Sequence, residues 1–210
     1  MGNLFNMDNR FFTTLSRVAD LMILNIIFLF TCIPIITIGP ALSALYTVTL
    51  KQVKNEESYI FRGFLKAFKE NFKQSLIIWM ILLIFLIIIL ADIRLLPFIL
   101  SGKALFIVHS IFLALFFIWF LCASYVFPLQ AKFYNPVKTT IRNAFYMGIR
   151  HLPFTILIIL INLFPVFVYI IGSYVFYYGI LFYFLVGFAL EAFMNSYLLQ
   201  RIFAHYIKED

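Results

Sequence analysis

Glu191 and Asn195 stand four residues apart in the stretch GILFYFLVGFALEAFMNSYLLQ. That spacing is one helical turn, so both side chains share a face. Gly187 lies one turn earlier, and Leu198 continues the stripe. The run around them is apolar and long enough to span a bilayer, where an ionisable side chain is costly and is read first as a functional group. Two kinds of chemistry suit it. The carboxyl can line a polar cavity, where it binds a cation or proton or coordinates a polar substrate. Alternatively, hydrogen-bonded, it locks its helix to Asn162, Asn25 or a threonine of the first apolar stretch. Gly187 is small enough to let a neighbouring helix come close. A pump ordinarily needs more intramembrane charge than one carboxyl, which favours the locking role.

Other reactive groups are scattered. His109, His151 and His205 fall in three different segments, and a lone histidine at a membrane boundary is usually a hydrogen-bonding surface residue. Cys32 and Cys122 sit inside apolar runs without metal-ligand spacing and read as small packing residues. Ser124 and Tyr125 have no acid or base beside them in the chain. The chain contains no Walker A loop, dinucleotide-binding glycine fingerprint, Gly-x-Ser-x-Gly elbow or His-Glu-x-x-His pair. Catalysis is the least supported class. The expectation is a protein that is not an enzyme and that holds neither metal nor cofactor.

The elements that must position Glu191 follow from composition. Of 210 residues 64% are hydrophobic and only 12% charged, with a mean hydropathy of +1.03. A soluble domain could not bury that much apolar surface. Five runs, 18–38, 75–96, 104–129, 152–171 and 174–199, approach or exceed the ~20 residues that cross ~30 Å of hydrocarbon. The polar segments between them are too short to build a soluble core. The expected fold is all-α, one polytopic helical membrane bundle over residues 1–210. No small-residue cleavage site follows the first run, so it is expected to remain as a span. Asn6 stands where myristoylation at Gly2 would need Ser or Thr.

Charge placement sets the orientation. Lys51, Lys54, Arg62, Lys66, Lys69 and Lys73 crowd the first long polar segment, and Lys132, Lys138, Arg142 and Arg150 the second. Both are expected on the cytoplasmic side of the cell membrane, by the retention of positive residues inside. Arg201 and Lys208 place the C-terminus there too, and Arg10 and Arg17 the N-terminus. An inside N-terminus requires a short sixth crossing, or a re-entrant helix, over 35–50. A six-crossing bundle puts 14 of the 16 Lys and Arg inside, against 12 for five crossings. Pro34, Gly39 and Pro40 break the run where the chain must turn. Gly39, Ser43 and Thr47 recur every four residues after it, the spacing of a close helix contact. The broken helix is read as a turn and a tightly packed helix in preference to a substrate site.

The cytoplasmic segments carry amphipathic patterns. Phe61, Phe64, Leu65, Phe68 and Phe72 fall on one face, with Arg62, Lys66, Lys69 and Lys73 along its edge. That predicts an interfacial helix lying on lipid or against a partner. A weaker version follows Pro136, where Val137, Ile141, Ala144 and Phe145 share a face. Attraction to anionic headgroups explains the charges, and the aromatic face argues against nucleic acid. Three segments, 8–54, 59–129 and 136–200, read as degenerate repeats of an interfacial helix plus a hairpin.

The order of residues in PIITIGPALSALYTVTLKQVKNEESYIFRGFLKAFKENFKQSLIIWMI, with the late FMNSYLLQRIF, resembles the YesL-like family of small bacterial membrane proteins. The strongest part runs from Thr37-Ile38-Gly39 through Leu45-Tyr46, Glu56-Glu57 and the helix of Phe64 to Phe72. The resemblance implies a Gram-positive source and genes beside those of carbohydrate ABC transporters and glycoside hydrolases. It therefore implies a role accessory to carbohydrate uptake or its regulation, with a transporter permease or another membrane protein as partner. The competing expectation is an autonomous transporter of a small solute or lipid, built on Glu191, Asn195, Asn162 and Asn25. No catalytic residue comes with the resemblance.

Overall fold

The first helix, α1 (Arg10–Cys32), stops ahead of Pro34, which leaves the residue before it unable to stay helical. A single 3-10 turn (Ile35–Thr37) reverses the chain, and α2 (Ile38–Val53) begins with Pro40 in its first turn, where a missing N–H does no harm. This is a computed structural model describing residues 10–56, 59–171 and 173–206, with side chains for 12–56, 59–170 and 178–206. The described residues form helices and turns, with no strand.

The short helix is the centre of the molecule. Ten of the 16 residues of α2 are buried, and it packs against α1, α3, α4 and α9. Sixteen residues reach only ~24 Å, short of the ~30 Å of hydrocarbon. The protein around it, not lipid, is what shelters it. The expected close contact is with α3 (Ile60–Ile99). A Cβ on Gly39 would lie 2.4 Å from Trp79 Cβ and 2.6 Å from the Ser75 carbonyl oxygen, so only glycine lets the two backbones approach. Trp79 Nε1 closes the same corner, donating to the Ile35 carbonyl at 2.8 Å.

Helix α3 corrects one expectation. The predicted interfacial helix and the predicted span 75–96 are one unbroken helix of 40 residues, about 60 Å long. No glycine or proline falls between Gly63 and Pro97 to part them. Its phenylalanine face is also divided in use. Phe64 is 0% exposed and belongs to the core, Phe68 and Phe72 are half-buried, and only Phe61 is open. Phe64 stacks on Phe68 at 6.3 Å, and Phe68 meets Phe72 edge-on at 5.4 Å. The four cations keep the expected flank: Arg62, Lys66, Lys69 and Lys73 are all exposed, with Lys66 3.9 Å from Glu70.

Ser101 and Gly102, the latter at φ +60°, turn the chain into α4 (Gly102–Lys132), whose buried residues all lie between Leu121 and Gln130. Then comes α5 (Val137–Arg150), with Pro136 in the N-cap position. It buries Ala144 and leaves Lys138 and Arg142 exposed, as its pattern foretold. A bend of 105° at His151 leads into α6 (Leu152–Asn162). Gly148 makes the α4 contact possible, since a Cβ there would overlap Leu121 at 2.0 Å.

The expected span 152–171 is not continuous. It breaks at Leu163 into α6 and α7 (Phe164–Ile171), of 11 and 8 residues. Pro165 cannot donate to the preceding turn, and this is where the helix parts. The chain ends in α8 (Ser173–Phe182), a π-helical turn (Tyr183–Gly187) and α9 (Phe188–Phe203). Among the described residues, four helical stretches are thus long and apolar enough to cross a membrane, or five if the bent α5–α6 pair is one span. Several long apolar helices of this kind are those of a multi-pass membrane protein.

Candidate functional site

In a π turn the N–H groups reach five residues back instead of four, so backbone groups lose their partners where the chain returns to α-helix. In an apolar interior each unpaired group is costly. Asn25, 0% exposed on α1, makes up the loss. Its Nδ2 donates to the carbonyls of Tyr183 at 3.0 Å and Phe184 at 2.8 Å, and its Oδ1 accepts from the Ala189 N–H at 3.0 Å. One side chain stitches both ends of the widened turn to α1.

The same turn aims Tyr183 along its own helix. A Cβ on Gly187 would lie 2.5 Å from Tyr183 Cδ1, so the ring occupies the space that glycine leaves. From there the hydroxyl donates to Glu191 Oε1 at 2.6 Å. Phe188 meets the ring at 5.2 Å from the other side. Gly187 therefore leaves its space to a ring of its own helix, in a turn that also packs against α1. Glu191 is half-buried, and its hydrogen-bond donor is a residue that spacing had not singled out.

Asn195 sits one turn on but in a different network. Its Nδ2 donates to Asn162 Oδ1 at 2.7 Å and to the Tyr46 hydroxyl at 3.3 Å. Asn162 Nδ2 in turn reaches Ser124 Oγ at 3.4 Å. Four helices, α2, α4, α6 and α9, meet in that chain. Two further contacts continue along α2 and α9: the Thr49 and Ser196 hydroxyls at 2.7 Å, and Gln200 Nε2 donating to the Leu50 carbonyl at 2.9 Å. Interhelical hydrogen bonds in apolar surroundings contribute roughly 0.6–2 kcal/mol each. Of the four expected polar residues, Asn195 and Asn162 are joined, while Asn25 and Glu191 serve the π turn. Tyr46, Thr49, Ser196 and Gln200 were legible only as pairs between two helices, which one helix's periodicity does not reveal.

Two of the histidines come together despite lying in separate segments. His151 Nε2 is 3.0 Å from the Tyr206 hydroxyl, and its ring is 6.4 Å from that of His205. Arg150 lies over the Tyr206 ring at 5.7 Å. Partial burial, then the charge of Arg150 and then His205, hold His151 below its ordinary value of 6.5.

Beside the first half of α1 opens a cleft of about 1260 Å3. Arg17 and Asp20 line it from α1, Gln52, Asn55 and Glu56 from the end of α2 and the turn after it, and Phe193 from α9. Arg17 is fixed by a 2.6 Å hydrogen bond from its guanidinium to Asn55 Oδ1. Asn55 adopts φ +57° in the turn, a left-handed conformation that asparagine tolerates well. Neither Glu191 nor Asn195 lines the cleft.

Residues 21–93 match the family model described as "Protein of unknown function, DUF624". That match takes in Asn25, Gly39 and Trp79 and ends well before Glu191. Over 150 residues, 71% of this chain and 70% of the relative, the sequence is 25% identical to a Bacillus subtilis (strain 168) protein described as "Uncharacterized protein YesL". No solved structure matches the chain. Both matches point the same way: the chain is similar to a YesL-like family of unknown function.

Proposed function

We propose that the chain is a non-enzymatic accessory protein of a bacterial cell membrane, with both termini cytoplasmic, that serves carbohydrate uptake or its regulation by docking a membrane partner at its basic end. The carbohydrate link and the choice of a transporter permease as partner rest on the sequence resemblance. The observation that carries the docking role is α3, whose 40 residues outrun any bilayer and carry Arg62, Lys66, Lys69 and Lys73 exposed on the excess length. The pairing of Ser124, Asn162 and Asn195, and of Thr49 with Ser196, supports it, since these interior side chains tie helices to one another. The test is co-purification of the full-length chain from its native membranes. Charge reversal at Lys66, Lys69 and Lys73 should release a specific permease or sensor protein. An unaltered set of partners after that change counts against the reading.

A second reading, an autonomous transporter of a small solute or lipid, is favoured by one observation: Glu191 is half-buried and seated on a π turn, a feature frequent at functional sites. Reconstituted protein would then move a substrate across vesicle membranes, and Glu191→Gln would abolish or uncouple the movement. Full activity in that variant removes the carboxyl from the mechanism.

A further inference from the structure

The cleft beside α1 lies where the helix changes character, from Thr13, Thr14, Ser16, Arg17 and Asp20 to an almost wholly apolar second half. In a spanning helix that transition falls at the level of lipid headgroups. We propose that this cleft binds an aminophospholipid, with its primary ammonium held by Asp20 and Gln52 and its phosphodiester by Arg17.

Three features of the lining argue for a ligand with both charges. Arg17 spends one hydrogen bond on Asn55, which orients the guanidinium and leaves donors for phosphate oxygens. Asp20 makes no ion pair among the described residues, although it is the carboxylate nearest the apolar half of α1. Gln52 Oε1 is buried without a hydrogen-bond partner among the described residues, an acceptor that calls for a donor. Glu56, the other acid of the cleft, is already 3.8 Å from Lys54. A cation and two unmatched acceptors within one concavity fit a zwitterion better than an anion. Val18, Ile60 and Phe193 supply an apolar wall for the first carbons of an acyl chain.

Donor count distinguishes the candidates. A primary ammonium has three N–H groups to satisfy Asp20 and Gln52, while a trimethylammonium has none. An anionic headgroup without an amine would answer Arg17 alone and stand against Asp20.

The full-length protein, carried in nanodiscs of equimolar phosphatidylethanolamine, phosphatidylcholine and phosphatidylglycerol, is released into the gas phase and its retained lipids are counted by native mass spectrometry. Phosphatidylethanolamine should be retained roughly fivefold to tenfold over phosphatidylcholine, the scale of one net hydrogen bond. Asp20→Asn should bring the two close to parity. Gln52→Leu, which removes the orphan acceptor without touching charge, should lower the preference and serves if Asp20→Asn does not fold. Equal retention by the wild type, or an intact preference in both variants, overturns the proposal. So does full displacement of bound lipid by water-soluble glycerophosphoethanolamine at matched concentration, which would make the ligand a free zwitterion. None of these outcomes depends on the basic flank of α3, so the docking role stands or falls separately.

Discussion

The Tyr183 hydroxyl and the Glu191 carboxyl meet at 2.6 Å along a single helix, with Gly187 lying under the ring between them. The arrangement requires the π turn, because a regular α-helix would not lay a side chain so far along its own axis.

Removing the donor in Tyr183→Phe should cost about 1 kcal/mol, the net worth of a hydrogen bond. Glu191→Gln keeps an acceptor oxygen in place and should cost less. Gly187→Ala puts a methyl group where the ring lies and should displace it, so the Gly187→Ala, Tyr183→Phe double variant should be less damaged than the sum of the singles. Thermal unfolding in detergent reads all four. A Glu191→Gln protein less stable than Tyr183→Phe would mean that the carboxyl has a second, more important partner.

Asn25→Leu should be among the most damaging polar substitutions in the chain. It leaves the Tyr183 and Phe184 carbonyls and the Ala189 N–H unpaired in an apolar interior, at roughly 1–3 kcal/mol per group. Faster amide hydrogen exchange confined to residues 183–189 would locate the effect. Unchanged exchange there would mean that the turn holds itself without α1.

At Gly39 a single methyl group should be felt across two helices. Gly39→Ala forces Trp79 and the Ser75 carbonyl away, and overpacking of this kind costs about 1–3 kcal/mol. The Trp79 bond to Ile35 should go with it, shifting tryptophan emission. Ser43→Ala on the same stripe removes a buried hydroxyl that has no partner among the described residues, and should be neutral or stabilising.

His151 should make stability pH-dependent in one direction. Because the folded protein holds it below 6.5, through burial, Arg150 and His205, the unfolded chain takes up the proton first as pH falls. Stability is then flat above that value and declines below it, as protonation sets His151 against Arg150 and His205. In His151→Gln that decline should shrink, measured as the unfolding midpoint from about pH 8 to about pH 5. An undiminished acid loss in the variant would assign it to other groups.

The apolar runs were legible because they depend on composition alone, and so was the close contact at Gly39, whose four-residue stripe has one physical meaning. The join of the basic helix to the span in α3 was missed because a change of pattern from amphipathic to uniformly apolar looks like a boundary, although nothing between Lys73 and Ser75 stops a helix. The break at Leu163 was missed for the opposite reason: uniform apolarity hid Pro165. Asn25 was singled out as a partner for Glu191 and proved to be a partner for backbone. No side-chain spacing announces a π turn, so its need for three hydrogen bonds could not be read from residue types.

The Gly39 contact with Trp79 falls halfway along α3, at a place where only glycine lets that helix come so near α2. From there to Ile60 is 19 residues, an arm of roughly 28 Å, with a similar arm on the far side. A rigid rod held at its middle is a lever with a fulcrum. A swing of about 5° would carry the Ile60 end some 2.5 Å one way and the Phe98 end as far the other. Force applied on one side of the membrane would thus arrive on the opposite side reversed in direction, with no bond along the rod remade.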